Sequence, residues 1–400
     1  MKKIVIIGGG QAGAVLAATL RKLGHDGSIT LVCSEAALPY QRPPLSKRYL
    51  MRDMTVEQLS LRPERFYVEN GIEMILGQPV TKIDRTRKVI MAGEQEIEYD
   101  ALAITTGSSP RRLPSTMGGD LNHVYAVRSI ADVDRMALEF LPERRLLVIG
   151  GGYIGLEAAA VAARLGLRVT LVEMATRILQ RVASPETSNF FRSLHENHNV
   201  EIREGVALDK LAVGQPLKAH FAGGDDLEVD FAVVGIGVRS NDALAQTAGI
   251  HCDDGIVVNV YGQTSDPDIW AAGDCTRFPY RGALIRLESV QNAIDQAEVV
   301  AMNMIGHQKD YAPNPWFWSD QFDVKLQIAG LNTGYDKVII RTGAVPNSQS
   351  NWYYAAGKLL AVDAMNDPRA YMVGKRLIES GRSPAAVDVA NSQVDLKSLL

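Results

Sequence analysis

Four hundred residues exceed what one hydrophobic core organises, so two or three domains are expected. Apolar residues make up 46% and charged residues 22%, the balance of a soluble globular protein. A formal net charge of −4 gives no overall case for binding nucleic acid or a membrane surface, and no run approaches the ~18–20 apolar residues of a membrane span.

The chain opens with Lys2-Lys3 and the apolar run Ile4-Val5-Ile6-Ile7. Two lysines before apolar residues superficially resemble a signal peptide, but the run is too short for an h-region and no small-residue cleavage site follows. It is read as a β-strand, and the expected location is cytoplasmic. The turn Gly8-Gly9-Gly10-Gln11-Ala12-Gly13 comes next and opens a helical pattern. A second apolar run, Ile29-Thr30-Leu31-Val32-Cys33, then ends near Glu35. This is the dinucleotide-binding fingerprint in its βαβ context. The first glycine makes the tight turn, the second admits a pyrophosphate to the backbone, and the third lets helix and strand pack closely. The helix N-terminus adds free N–H groups and positive dipole. Gly8, Gly10, Ala12 and Gly13 are the candidate cradle, and Glu35 suits a ribose diol.

The stretch Leu38-Pro39-Tyr40-Gln41-Arg42-Pro43-Pro44-Leu45-Ser46-Lys47 is too proline-rich for helix until after Pro44. Strands are expected near 73–76, 89–91 and 101–105, and Pro110 and Pro114 mark an exit from the first domain. The fingerprint then recurs. Leu147-Val148-Ile149 leads into Gly150-Gly151-Gly152-Tyr153-Ile154-Gly155, and Val169-Thr170-Leu171-Val172 ends at Glu173. Gly150, Gly152 and Gly155 form a second cradle. A carboxylate at 173 accepts from a 2′-hydroxyl and repels a 2′-phosphate, which favours NADH over NADPH, although Arg177 lies four residues on. Two dinucleotides on one chain imply electron transfer between them.

Another strand is expected at 231–235, followed by a turn through Gly237. Gly273-Asp274 follows the apolar stretch Ile269-Trp270-Ala271-Ala272. A long helix begins at Glu288-Ser289-Val290, with Val290, Ala293, Ile294, Ala297, Val300, Ala301 and Met304 on one face. From Pro313 the texture changes to alternating strands at 325–328, 337–341, 352–355 and 358–362, with a closing helix near 371–380. The three cysteines, Cys33, Cys252 and Cys275, have neither dithiol nor metal-ligand spacing, so no metal site is read.

Taken together, the two fingerprints, Pro43-Pro44-Leu45-Ser46-Lys47, Gly152-Tyr153-Ile154-Gly155-Leu156-Glu157, Gly273-Asp274, Arg286-Leu287-Glu288-Ser289-Val290 and Pro315-Trp316-Phe317-Trp318-Ser319-Asp320-Gln321 resemble the FAD/NADH-dependent [2Fe-2S] ferredoxin reductases. The likeness covers essentially the whole chain. It implies an α/β fold with two Rossmann-like dinucleotide-binding domains of glutathione-reductase type, plus an α+β C-terminal domain with an antiparallel sheet. The FAD-binding domain would be residues 1–110 and 240–312, the NADH-binding domain 111–239, and the C-terminal interface domain 313–400. It also implies that Asp274 binds a ribityl hydroxyl and that Val80 and Arg128 line the FAD site. The backbone N–H of Val290 would sit at the flavin edge. Lys47 and Glu157 would form an ion pair beside the flavin, Gly237 and Glu288 would approach the nicotinamide, and Trp318 would lie where the ferredoxin docks. Hydride would pass from NADH to FAD, and single electrons from FAD to the ferredoxin.

Ferredoxins of this kind are usually acidic, so a basic patch is expected, with Arg42, Arg48, Arg65 and Arg286 as candidates. The chain would be a monomer or homodimer. A disulfide reductase on the same fold needs a cysteine where Pro43-Pro44-Leu45-Ser46-Lys47 stands. A monodehydroascorbate-reductase-like enzyme and an NADH-gated interaction flavoprotein of apoptosis-inducing-factor type share much of the motif set and remain alternatives.

Overall fold

The computed structural model describes residues 2–214 and 216–400. The chain forms two compact units, one of Met1–Arg42, Thr55–Ser109 and Val238–Pro313, the other of Pro43–Met54, Pro110–Gly237 and Asn314–Leu400.

The first unit is built on a five-stranded parallel sheet in the order Ile269–Ala271, Ala101–Ile104, Ile4–Ile7, Ile29–Val32, Ile72–Ile75. The four residues of Ile4–Ile7 are all buried, because a parallel strand with both faces covered reads as an unbroken apolar run. Successive side chains alternate between two cores. Ile4 and Ile6 pack under the helices Gln11–Lys22 and Val290–Met304, against Leu16, Leu20, Ala297 and Val300. Val5 and Ile7 face Ile83, Ile90 and Phe278, which come from two small three-stranded sheets.

The second unit repeats the arrangement. Its parallel sheet runs Val200–Glu204, Arg168–Glu173, Arg145–Ile149, Phe231–Val234, Val124–Tyr125. In both sheets the strand before the glycine turn is central. Its neighbours lead away in opposite directions, which opens a crevice at its carboxyl end. An antiparallel meander, Leu208–Ala212, Leu217–Phe221 and Asp226–Val229, is added here and was not expected from the sequence. The same unit holds a five-stranded antiparallel sheet, Trp316–Gln321, Val324–Gly330, Lys358–Met365, Gln349–Ala355, Lys337–Thr342, with the helix Pro368–Glu379 packed on it.

The expectation of no helical turn before Pro44 is corrected. Pro43–Ser46 forms a single 3₁₀ turn, and proline suits its first positions because no N–H is needed there. Among the described residues, no helix is long and apolar enough to cross a membrane.

Candidate functional site

The two glycine turns have nearly the same local geometry. Gly8 has φ +112° and Gly150 φ +105°, and a Cβ there would stand 2.3 Å from Thr105 O and 2.5 Å from Gly235 O respectively. A Cβ on Gly13 would fall 2.0 Å from Gly8 O, and one on Gly155 2.1 Å from Gly150 O, so the third glycine seats the helix on its own turn. The middle position is the opposite. A Cβ on Gly10 would meet nothing within 4 Å, and one on Gly152 only Gly235 O at 3.9 Å. That open space is what a side chain would fill and a pyrophosphate can use.

The helix starts agree. Among the described residues five helices have twelve or more residues. Three are capped by Ser184, Ser289 or Asp367 side chains, whereas the two after the glycine turns begin on Gly10 and Gly152 with no side-chain cap. Their first N–H groups are left for an external anion. Both turns therefore fit a dinucleotide.

In the first unit Glu35 sits beside its turn, and its carboxylate accepts from Tyr40 Oη at 2.6 Å and Arg42 Nη2 at 2.7 Å. Arg42, a candidate for the basic patch, is thus paired inside the chain. Asp274 accepts from Ser108 Oγ at 2.9 Å. Gly273 (φ +86°) brings the backbone to 3.1 Å between its notional Cβ and Ala12 Cβ, and its N–H donates to the buried Gln296 side chain at 2.8 Å. Val290 opens its helix with Ser289 as cap. Glu288 is held by Arg286 at 2.6 Å. Val80 begins a strand and packs against the core. Arg286 is a correction to the patch: its side chain is 13% exposed and faces Glu288 and Asp254, so it offers no open surface charge. Arg65 is exposed.

In the second unit Glu173 accepts from Gly151 N at 2.7 Å and Ala175 N at 2.8 Å. Arg177 points elsewhere, donating to Ser188 Oγ at 2.5 Å and Gln180 O at 3.3 Å. Gly237 has φ +94°, and its carbonyl accepts from Arg111 N. Arg128 is half-buried just before the Ser129 cap of the helix Ile130–Met136. Arg48 is exposed.

The Pro43–Ser46 turn delivers Lys47 to the helix Tyr153–Arg164, where Lys47 Nζ lies 2.9 Å from Glu157 Oε1. Glu157, in the second turn of that helix, is 5% exposed, whereas taken singly it reads as a solvated glutamate. Ser46 and Ser319, named above only as members of longer motifs, complete its shell. Ser46 Oγ donates to Oε2 at 2.8 Å and Ser319 Oγ to Oε1 at 2.7 Å.

The strand Trp316–Gln321 accounts for Ser319. Residues 317, 319 and 321 share one face, and Tyr153 and Glu157 lie one helical turn apart. Phe317 packs on the Tyr153 ring at 5.0 Å, and Ser319 meets Glu157. Trp316 and Trp318 take the other face, 5.5 Å apart, with Trp316 against Tyr371 and under Lys375. The alternation of an aromatic with two polar residues on a strand face was the available signal.

The cysteines do not form a redox pair. All three are free thiols. Burial pushes Cys33 up to about 12, and Cys252 and Cys275 up to about 11.

Comparison with known proteins agrees with this geometry. Residues 2–297 match the pyridine nucleotide-disulphide oxidoreductase family and residues 316–400 the reductase C-terminal family. The chain is 40% identical to rhodocoxin reductase of Rhodococcus erythropolis over 399 residues, 98% of this chain and 93% of that protein. It is 39% identical to a ferredoxin–NAD(P)+ reductase of a Sphingomonas species over 384 residues, 94% of this chain and 92% of the other. The crystal structure of a covalent putidaredoxin reductase–putidaredoxin complex superposes with a TM-score of 0.96 at 36% identity, covering 100% of this chain and 98% of that one.

Proposed function

The chain belongs to the pyridine nucleotide-disulphide oxidoreductase family, and from that premise we propose that it is a reductase using FAD and NADH to pass electrons one at a time to a [2Fe-2S] ferredoxin serving an oxygenase. The observation that carries this is the Lys47–Glu157 pair, together with the buried, high-pKa thiols. A disulfide reductase would present a cysteine at this turn. Here a fixed cation stands instead, and the electrons must leave for an external acceptor.

FAD, when bound, accepts electrons in pairs from NADH and releases them singly, which nicotinamide alone does not do. The Gly8–Gly13 turn, with its uncapped helix and Glu35, would hold the FAD pyrophosphate and ribose, and Asp274 the ribityl chain. Val80, Arg128 and the Val290 amide would complete that site. The turn through Gly150, Gly152 and Gly155, with Glu173, would hold NADH, and Gly237 and Glu288 would serve its nicotinamide end. Lys47 would supply positive charge to the flavin, with Glu157 fixing its position. In this reading residues 1–110 and 240–312 serve FAD, 111–239 serve NADH, and 313–400 form the interface region that carries Trp318.

The ferredoxin is proposed to be acidic, which makes its encounter salt-sensitive. The exposed Arg48 and Arg65 support this, whereas Arg42 and Arg286 are spent on internal carboxylates. The test is NADH-driven reduction of a panel of [2Fe-2S] ferredoxins, with ferricyanide as control. Ferredoxin reduction that falls with added salt is expected. Ferricyanide reduction without turnover of any ferredoxin would overturn the assignment of the partner.

A further inference from the structure

Behind Glu157 a line of buried polar side chains runs away from Lys47. Ser319 Oγ, which donates to Glu157 Oε1 at 2.7 Å, accepts from Gln321 Nε2 at 3.2 Å. Gln321 Oε1 lies 2.9 Å from His195 Nε2. Ser319, Gln321 and His195 are all fully buried. They come from a strand of the antiparallel sheet and a helix of the parallel one, so no single local motif assembles them.

The donor directions can be worked out from one end. An amide oxygen only accepts, so His195 Nε2 must carry the hydrogen. His195 Nδ1 has no hydrogen-bond partner among the described residues, as befits a bare nitrogen on a neutral ring. Burial supports that neutrality, pushing the ring down to about 4. With its oxygen committed to His195, Gln321 turns its NH2 toward Ser319. That donor occupies a lone pair of the Ser319 hydroxyl, whose single hydrogen is left to point at Glu157. Each link thus fixes the proton direction of the next, and every arrow ends on the carboxylate that holds Lys47.

A polar chain this deep is costly. Burying a serine, a glutamine and a histidine forfeits their hydration, and aliphatic residues of similar volume would fill the space more cheaply. What the chain provides is one orientation of one carboxylate. Oε1 receives the Ser319 hydroxyl and the Lys47 ammonium, Oε2 receives the Ser46 hydroxyl, and the group cannot rotate without breaking a bond.

We infer that Ser319 is a positioning residue for the Lys47–Glu157 pair, with Gln321 and His195 setting the direction in which its hydroxyl donates. The inference rests on the proposed role of Lys47 for its catalytic consequence, but not for its structural content. The two are therefore read by different measurements.

The first measurement is the rate at which acetic anhydride acylates Lys47 in the FAD-loaded protein, followed by mass spectrometry of the peptide. Ser319→Ala removes the donor and should expose Lys47 to acylation roughly 10-fold faster. Ser319→Thr keeps a hydroxyl and should restore protection. Gln321→Glu is nearly isosteric, and at a pH high enough to ionise this buried carboxyl it only accepts, so the Ser319 hydroxyl is drawn away from Glu157. It should therefore reproduce Ser319→Ala with Ser319 intact, and the double variant should be no worse than either. FAD content and melting temperature identify any variant that fails to fold. If Gln321→Glu fails in this way, the alanine–threonine comparison at 319 decides.

The second measurement is stopped-flow reduction of the flavin by NADH. The same variants should lower the limiting rate without raising the KM for NADH. Lys47 acylation unchanged in Ser319→Ala, or a loss of protection that threonine does not repair, would overturn the positioning role. Altered acylation with a normal flavin-reduction rate in both Ser319→Ala and Lys47→Ala would leave the positioning intact and overturn the proposed role of Lys47 instead.

Discussion

Glu173 accepts the amide hydrogen of Gly151 at 2.7 Å, so the carboxylate at the end of the second fingerprint is tied to the turn it serves. Its other oxygen is fixed by Ala175 N. A carboxylate held this way keeps its remaining lone pairs and its charge beside the cradle.

Coenzyme choice should follow from that placement. Replacing Glu173 with alanine removes a ribose acceptor and the repulsion of a 2′-phosphate. The preference for NADH over NADPH, taken as the ratio of kcat/KM, should fall by roughly 10–100-fold. Arg177 is engaged with Ser188 and Gln180, so Arg177→Ala should change that ratio little. Steady-state assays with both coenzymes check this pair.

The glycines of one turn should separate by function. Gly10→Ala places a methyl in open space at the cost of a poorer helix start, about 1 kcal/mol. The protein should fold but retain little FAD. Gly13→Ala would drive a methyl to 2.0 Å from the Gly8 carbonyl and should cost the fold itself. Gly152→Ala, the counterpart of the first, should keep FAD and lose NADH affinity. Flavin absorbance, thermal melting and NADH titration distinguish the three.

Two buried groups should make stability respond to pH in opposite senses. Asp363 accepts from Tyr353 Oη and from Thr187 Oγ1, and burial raises its pKa from 3.8 to about 6. The native state thus holds that proton more tightly than the unfolded one, and the stability this gives is lost as pH rises from 3.8 through 6. His195, next to Gln321 and His198, is lowered by burial from 6.5 to about 4. Its contribution is complete above 6.5 and is lost as pH falls toward 4. Each amounts to about 3 kcal/mol, an order-of-magnitude figure. Relative to the wild type, Asp363→Asn should gain stability as pH rises across this window and His195→Gln should lose it. Urea unfolding at several pH values reads both slopes.

Lys47→Ala should slow NADH-driven flavin reduction by roughly 10–100-fold, with little change in NADH binding, because a charge aimed at the reacting centre acts mainly on the barrier. Stopped flow measures it. A wild-type rate would sink the role.

Trp318 lies with Trp316 on the strand face opposite Ser319. If that face serves the ferredoxin, Trp318→Ala should slow ferredoxin reduction about tenfold while leaving ferricyanide reduction unchanged. Parallel assays with the two acceptors test it.

Both glycine turns, their strands and helices, and four of the five strands of the antiparallel C-terminal sheet were legible in the sequence, because each rests on local periodicity and turn chemistry; the strand Trp316–Gln321 was not expected. Lys47 and Glu157 were legible only through the family likeness; taken singly they read as a loop lysine and a solvated glutamate. The roles of Ser46, Ser319, Gln321 and His195 were not legible. The alternation of Phe317, Ser319 and Gln321 marks one face of a strand, but what that face does lies in partners far along the chain, Glu157 and His195. Arg286 was misjudged for the same reason. A cation between Leu284 and Leu287 looks like surface until its carboxylates, Glu288 and Asp254, are placed.

The carboxylate of Glu157 draws on Ser46 and Lys47, made early, and on Ser319, made when most of the chain has already emerged. During synthesis the glycine turns can form while the nascent chain still lacks the strand Trp316–Gln321. Until that strand arrives, the glutamate has its lysine but not its full set of donors. The first glycine turn and the complete set of Glu157 donors thus depend on different parts of the chain, so that flavin colour alone is an unsafe measure of finished enzyme.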